Sequence, residues 1–171
     1  MKKLLVMLLI SALAMAGLCV ACCEEQEIRV VSFGHYEQDN DEDNGPEPIE
    51  WIILTQFGNR ALLLSRDCLD AQYFNNDYGS APWESCSLRS WLNGAFLNAA
   101  FTADERAAIL TTQVDNSASQ GNSEWDTDGG NDTQDQVFLL SYAEAWSFFN
   151  SDDARMCAPT AYAVEQGALT W

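Results

Sequence analysis

The stretch from Trp83 to Phe101, W-E-S-C-S-L-R-S-W-L-N-G-A-F-L-N-A-A-F, constrains this chain more than any other. It sets four large aromatic rings and three leucines in nineteen residues, with Arg89 as its one positive charge. Leu88, Trp91 and Leu92 fall at i, i+3 and i+4, which places them on one face of a short helix. Ser85 is the expected cap, because a serine hydroxyl can accept a free first-turn N–H. Asn93-Gly94 is the expected stop, since both residues tolerate the left-handed conformation that ends helices. Phe96, Leu97 and Phe101 then form a second apolar face. The unit builds a core and carries no catalytic chemistry of its own.

Everything else has to pack on that unit, and 171 residues supply one domain with a modest core. Residues 1–21 are set apart from it as a signal peptide. Met1-Lys2-Lys3 is a positive start, and Leu4 to Leu18 is an apolar run short for a membrane span. Cys19-Val20-Ala21-Cys22 offers a small-residue cleavage site. Cutting before Cys22 leaves an N-terminal cysteine for lipidation, as in bacterial lipoproteins, although Cys19 stands where a leucine is usual. The alternative is a plain secretory signal cut after Ala16 or Ala21. Residues 22–27 form an acidic tether, and residues 28–171 the single domain.

Losing Lys2 and Lys3 moves the net charge from −18 to about −20. The remaining cations are all arginines: Arg29, Arg60, Arg66, Arg89, Arg106 and Arg155. So acidic a chain repels phosphate backbones, which excludes nucleic acid as a partner. Anionic membrane surfaces are unfavourable too, apart from a lipid anchor. Cys68, Cys86 and Cys157 lie in the folded part without zinc-site spacing. They are read either as a pair, Cys68 with Cys86, plus one thiol, or as small buried hydrophobes.

Along the chain, Ile28–Phe33 reads as a strand ending at Gly34, with His35–Gln38 left open as its extension, and Asp39–Pro46 as a polar loop. Pro48–Leu54 and Ala61–Ser65 read as a β-hairpin, with Phe57-Gly58-Asn59-Arg60 as its turn. Thr102 with Glu105, and Ser141 with Glu144, are capping boxes. They open helices running through Ile109-Leu110 and over Tyr142–Phe149. Asp115–Asp135 reads as a long polar loop, and Val137–Leu140 as a buried strand. Pro159–Val164 is expected to be irregular.

This string resembles a family of exported bacterial domains of unknown function, common in gut Firmicutes and carried on lipoproteins and surface proteins. The matching pieces are Pro48–Leu54, Ala61–Ser65, Trp83–Asn93, Phe96–Phe101, Thr127–Thr133, Val137–Ser141 and Ala154 through Gly167. The resemblance implies an α+β fold similar to C-type-lectin-like domains: an antiparallel sheet or hairpin with two to three short helices and long polar loops. That fold is shared with ligand-display proteins and with formylglycine-generating enzymes. In the family, a W-L-R-S-P-G stretch and further strands follow the P-T-x-Y-A…G motif. Trp171 ends this sequence before them, so the domain is expected to be the N-terminal part of a lectin-like unit with an open apolar edge.

Asp126, Asp128, Asp132 and Asp135 stand at short spacing around Gly129-Gly130, which suits a hard oxygen-ligated cation such as Ca2+. The full EF-hand pattern is absent, and the competing reading is a solvated turn of self-bonded Asp side chains. The Asp39–Asn44 run is a weaker version of the same feature. His35 is the single histidine. It limits imidazole chemistry, and a Cys86–His35 pair lacks a third orienting group. Trp51, Trp91 and Trp146 read as packed residues. Trp125 is the candidate ligand-contacting aromatic, because nothing in its polar loop buries it. Arg89 is expected to pair with Glu84.

These readings point to a non-enzymatic binding domain on the cell surface, tethered by a lipid on Cys22, with a glycan, peptidoglycan or surface protein as ligand. The alternatives are a divergent enzyme related in fold to the formylglycine-generating enzymes, and a purely structural envelope module.

Overall fold

The hairpin forms where the turn chemistry puts it. The computed structural model describes residues 28–124 and 128–170. In it, β2 (Glu47–Phe57) runs antiparallel to β3 (Arg60–Ser65) around Gly58, whose φ of +61° suits the two-residue turn. β1 (Val30–Tyr36) pairs with the other edge of β2, giving the sheet order β1-β2-β3. β1 takes the extension past Gly34 as far as Tyr36. Gly34 itself sits at φ +74° where the β1–β2 register breaks between Ser32 and His35. A Cβ there would lie 2.5 Å from the Phe101 ring and 2.7 Å from the Ala100 carbonyl oxygen. Glycine lets the strand bulge and lets the helical unit approach its backbone.

The helical unit differs from expectation at both ends. Trp83–Ser85 is a 3-10 turn, and Cys86 takes the cap position, its Sγ accepting from the Arg89 N–H at 3.4 Å. Ser85 stands one residue too early to do so. α1 (Ser87–Trp91) then runs on through a π-helical turn, Leu92–Phe96, into α2 (Leu97–Ala100). Gly94 keeps the chain helical rather than stopping it. The wider turn inserts one residue into the helical register. Leu92, Phe96, Leu97 and Ala100 are all buried as a result.

Ile49 from β2 and Leu69 join Leu92, Phe96, Leu97, Ala100 and Phe101 in the core. Trp51 and Trp91 pack half-buried against it, as their spacing predicted. Trp51 also donates its indole N–H to the Phe33 carbonyl at 2.6 Å. Each buried Leu or Phe contributes roughly 1.5–3 kcal/mol, so this small aromatic-rich cluster is the main source of stability.

Thr102 and Glu105 form the expected capping box of α3 (Ala103–Ala108), which ends at Ile109, sooner than the sequence suggested. Two three-residue strands follow, β4 (Thr112–Val114) and β5 (Thr133–Asp135). They pair antiparallel as a second sheet, β4 just before the stretch Asp115–Asp135 that read as a polar loop and β5 at its end. Val137–Leu140 is not a strand: Leu139 is 49% exposed, and Asn93 holds Val137 by its backbone instead of a neighbouring strand. α4 (Tyr142–Phe148) carries the second capping box. The segment read as irregular closes with α5 (Ala161–Glu165), capped by Thr160. The fold is therefore α+β, with two antiparallel sheets and short helices.

Candidate functional site

The most specific polar geometry is structural. Arg89 projects from α1 toward the end of β5, where Asp135 is 1% exposed. The guanidinium donates from Nε to Asp135 Oδ1 at 2.7 Å, and from its terminal nitrogen to the Glu84 carbonyl at 2.9 Å. Trp83 Nε1 donates to Asp135 Oδ2 at 3.0 Å, and the Thr133 hydroxyl donates to the same oxygen at 2.6 Å. Three donors thus satisfy the carboxylate and tie the second sheet to the helical unit. Arg89 pairs with Asp135, then, and reaches Glu84 through its backbone alone. The expected Glu84 side-chain pairing fails because that carboxylate accepts from Asn131 instead.

Asn93 makes the adjoining clamp. Its Oδ1 accepts from the N–H groups of Gln136 and Val137, and its Nδ2 donates to the Arg89 and Val137 carbonyls. The residue read as a helix stop is a cross-link between distant segments.

Beside this network lies an open groove of about 480 Å3. Its floor is apolar, built from Leu63 and Leu64 on β3, Leu88 and Trp91 on α1, and Phe138 and Phe149 across from them. Arg66, Asp67, Asp70 and Arg155 supply its charged side chains. Asp70 accepts from the Tyr36 hydroxyl at 2.5 Å. Burial, followed by that bond, pushes the Tyr36 phenol well above its ordinary value. Arg155 donates to the Phe149 carbonyl at 2.7 Å and lays its guanidinium 3.7 Å from the centre of the Trp146 ring. Trp146 is 48% exposed and Tyr142 46%, their rings 5.8 Å apart. Trp146 was expected to pack inside. It lies instead half-exposed on α4, a helix that buries none of its residues, and packs against Arg155 and Tyr142 rather than the core.

The structure distributes the acidic candidates. Trp125 and Asp126 lie outside the described residues, as does Cys22. Asp128 is exposed, and its Oδ1 accepts from the Gly130 N–H at 2.9 Å. Asp132 accepts from Gln113 Nε2 at 3.0 Å and from the Asn116 N–H at 3.1 Å. Asp135 is committed to Arg89, Trp83 and Thr133. In the other acidic run, Glu37, Asp39 and Glu47 bring one oxygen each within 4.8 Å of one another. These oxygens already accept hydrogen bonds locally: Glu37 from the Asp41 N–H, Glu47 from the Gln38 N–H, and Asp39 from Asp41 and Asn44.

His35 is exposed on β1, close enough to Glu105 to help lower that carboxyl's pKa. Cys86 is buried and serves as a helix cap, so these two residues occupy different settings. Cys68, Cys86 and Cys157 are all free thiols. The Trp146–Tyr142–Arg155 surface was missed by sequence reasoning. The available signal was the i, i+4 spacing of Tyr142 and Trp146 behind the Ser141 cap, which sets both rings on one helix face.

Among the described residues, no helix is long and apolar enough to cross a membrane. Comparison with curated proteins and with solved structures finds no match. A family model described as a domain of unknown function, DUF6273, matches residues 58–166. That span runs from the β2–β3 turn through α5 and takes in the helical unit, both capping boxes, the Asp135 network and all of the groove lining except Trp51 and Ile52. Covering more than half of the sequence, it shows that this chain belongs to the DUF6273 family of domains.

Proposed function

We propose that the chain is an exported, lipid-anchored binding domain of the bacterial cell surface, lectin-like in architecture, with an envelope glycan as its ligand. The observation that carries this reading is the open apolar groove, whose lining residue Arg155 stacks on the half-exposed Trp146 ring. Ligand sites are typically concave, mostly apolar, and furnished with a few polar groups that fix orientation. Sugar rings present C–H faces that pack on aromatic rings, and hydroxyls that guanidinium and carboxylate groups can bond. Arg155 keeps N–H donors beyond those given to the Phe149 carbonyl and Asp152, and these are placed to supply such bonds at the groove. The acidic surface favours a neutral or cationic ligand over a phosphate-rich one.

The test is binding of the purified chain to immobilised glycans and peptidoglycan fragments, alongside Trp146→Ala and Tyr142→Ala variants. Binding weakened tenfold or more in Trp146→Ala, with the fold retained, is the expected result. A folded chain that binds nothing on the array, or that binds equally well without Trp146, overturns the proposal. Anchoring is tested separately by metabolic labelling with a fatty acid, which should mark the wild type and not Cys22→Ser.

A further inference from the structure

Two of the free thiols, Cys68 and Cys157, stand at one junction, apart from the Asp135 network and the core. Cys68 forms a parallel bridge with Pro159, its N–H donating to the Ala158 carbonyl at 2.9 Å and its carbonyl accepting from the Thr160 N–H at 3.0 Å. Cys157 lies two residues before Pro159. In extended chain, residues two apart project to the same side. Both cysteines line the same groove, and Cys157 is exposed while Cys68 is half-buried. Partial desolvation raises the Cys157 thiol pKa although the residue stays exposed, and Cys68 is close enough to add to that rise.

We propose that Cys68 and Cys157 form a reversible disulfide that fastens the Arg155–Thr160 wall of the groove to the end of β3. The oxidant is a small-molecule disulfide, as befits an exported chain. The Cys157 thiolate attacks one sulfur of that reagent. A mixed disulfide forms and one thiol leaves as thiolate, taking up a proton. The Cys68 thiolate then attacks the Cys157 sulfur and releases the second thiol. The protein gives up two electrons and two protons, and the reagent is reduced to two thiols. Cys86 takes no part: it is fully buried at the start of α1, where its sulfur already accepts the Arg89 N–H. This pairing replaces the Cys68–Cys86 alternative read from the sequence.

The bond closes a loop of about ninety residues, a length at which chain-entropy arguments predict a large effect. The closed wall would also hold Arg155 and Met156 in place at the groove.

The test equilibrates the purified chain in oxidised and in reduced glutathione, blocks remaining thiols with an alkylating agent, and maps peptides without reduction. A peptide linking Cys68 to Cys157 is expected in the oxidised sample, with Cys86 alkylated only after denaturation. Oxidation should raise Tm by on the order of 10 °C. That shift should vanish in both Cys157→Ser and Cys68→Ser. Cys157 is exposed, so its variant is expected to fold and to keep the proposal testable. Full alkylation of Cys68 and Cys157 after oxidation overturns the proposal, as does an oxidation-dependent Tm shift that survives in Cys157→Ser.

Discussion

Replacing Asp135 with alanine removes a buried acceptor that three donors from three segments converge on. The cost can be worked from the geometry. Breaking a buried ion pair by deleting one partner costs about 3–5 kcal/mol, and a stranded neutral donor costs about 1–3 kcal/mol. Two factors reduce the sum. The Arg89 side chain is 26% exposed, so water can partly replace the lost carboxylate, and its contact with the Glu84 carbonyl survives. The Thr133 hydroxyl can rotate, while the Trp83 indole N–H cannot. The expected destabilisation is therefore about 3–4 kcal/mol, against a total of about 5–15 kcal/mol for an ordinary domain. Urea unfolding followed by tryptophan fluorescence measures it, and Trp83 is itself a reporter at the site. An Arg89→Ala, Asp135→Ala double-mutant cycle should give a coupling of at least 1 kcal/mol. If Asp135→Ala costs under about 1 kcal/mol with an unchanged m-value, the network is not what joins the second sheet to the helical unit.

Gly34→Ala must place a methyl against the Phe101 ring at positive φ. It should cost about 2–4 kcal/mol in the same assay, and a neutral result would refute the close approach. Asn93→Ala removes four hydrogen bonds at the join to Gln136 and Val137, and about 2–3 kcal/mol of destabilisation is expected. Faster hydrogen exchange should appear at the Gln136 and Val137 amides before it appears in β2. Acid should weaken the fold in a defined direction. Asp39 is held below its ordinary value of 3.8 by the Asn44 amide, Asp115 by Ser117, and Glu105 below its 4.5 by the Thr102 N–H. These carboxylates are more acidic folded than unfolded, so their contribution is complete above the ordinary values and is lost as pH falls through and below them. Tm should drop on acidification below about pH 4.5, and less steeply in Glu105→Gln.

Local signals were legible in the sequence, and contacts between distant residues were not. Both capping boxes stand where Thr102 and Ser141 put them, because each is complete within four residues. The hairpin turn follows from Gly58-Asn59 for the same reason. Trp51 and Trp91 could be assigned inward from strand alternation and helical spacing alone. Asn93, by contrast, looks like a terminator in its own neighbourhood. Its actual partners are some 44 residues away, where no short-range pattern can show them. Arg89 likewise had an acidic neighbour at Glu84, while its true partner was Asp135, 46 residues on. β4 and β5 escaped notice because each is three residues long and mostly polar, so neither periodicity nor hydrophobicity marks it. At the candidate site, Asp132 and Asp135 were singled out for their charge. That charge is spent on internal donors.

The β4–β5 pairing changes what sequence drift can do here. Asn116 closes the base of the enclosed segment: its side-chain amide donates to the Asn131 carbonyl and its backbone N–H to Asp132. Below it, the Asp135 network bolts the two short strands to the scaffold. Residues added or exchanged between Ser117 and Asp128 would leave that fastening alone, and lengthening a closed segment costs only a logarithm of its size. Variation in this stretch is therefore decoupled from the aromatic interior.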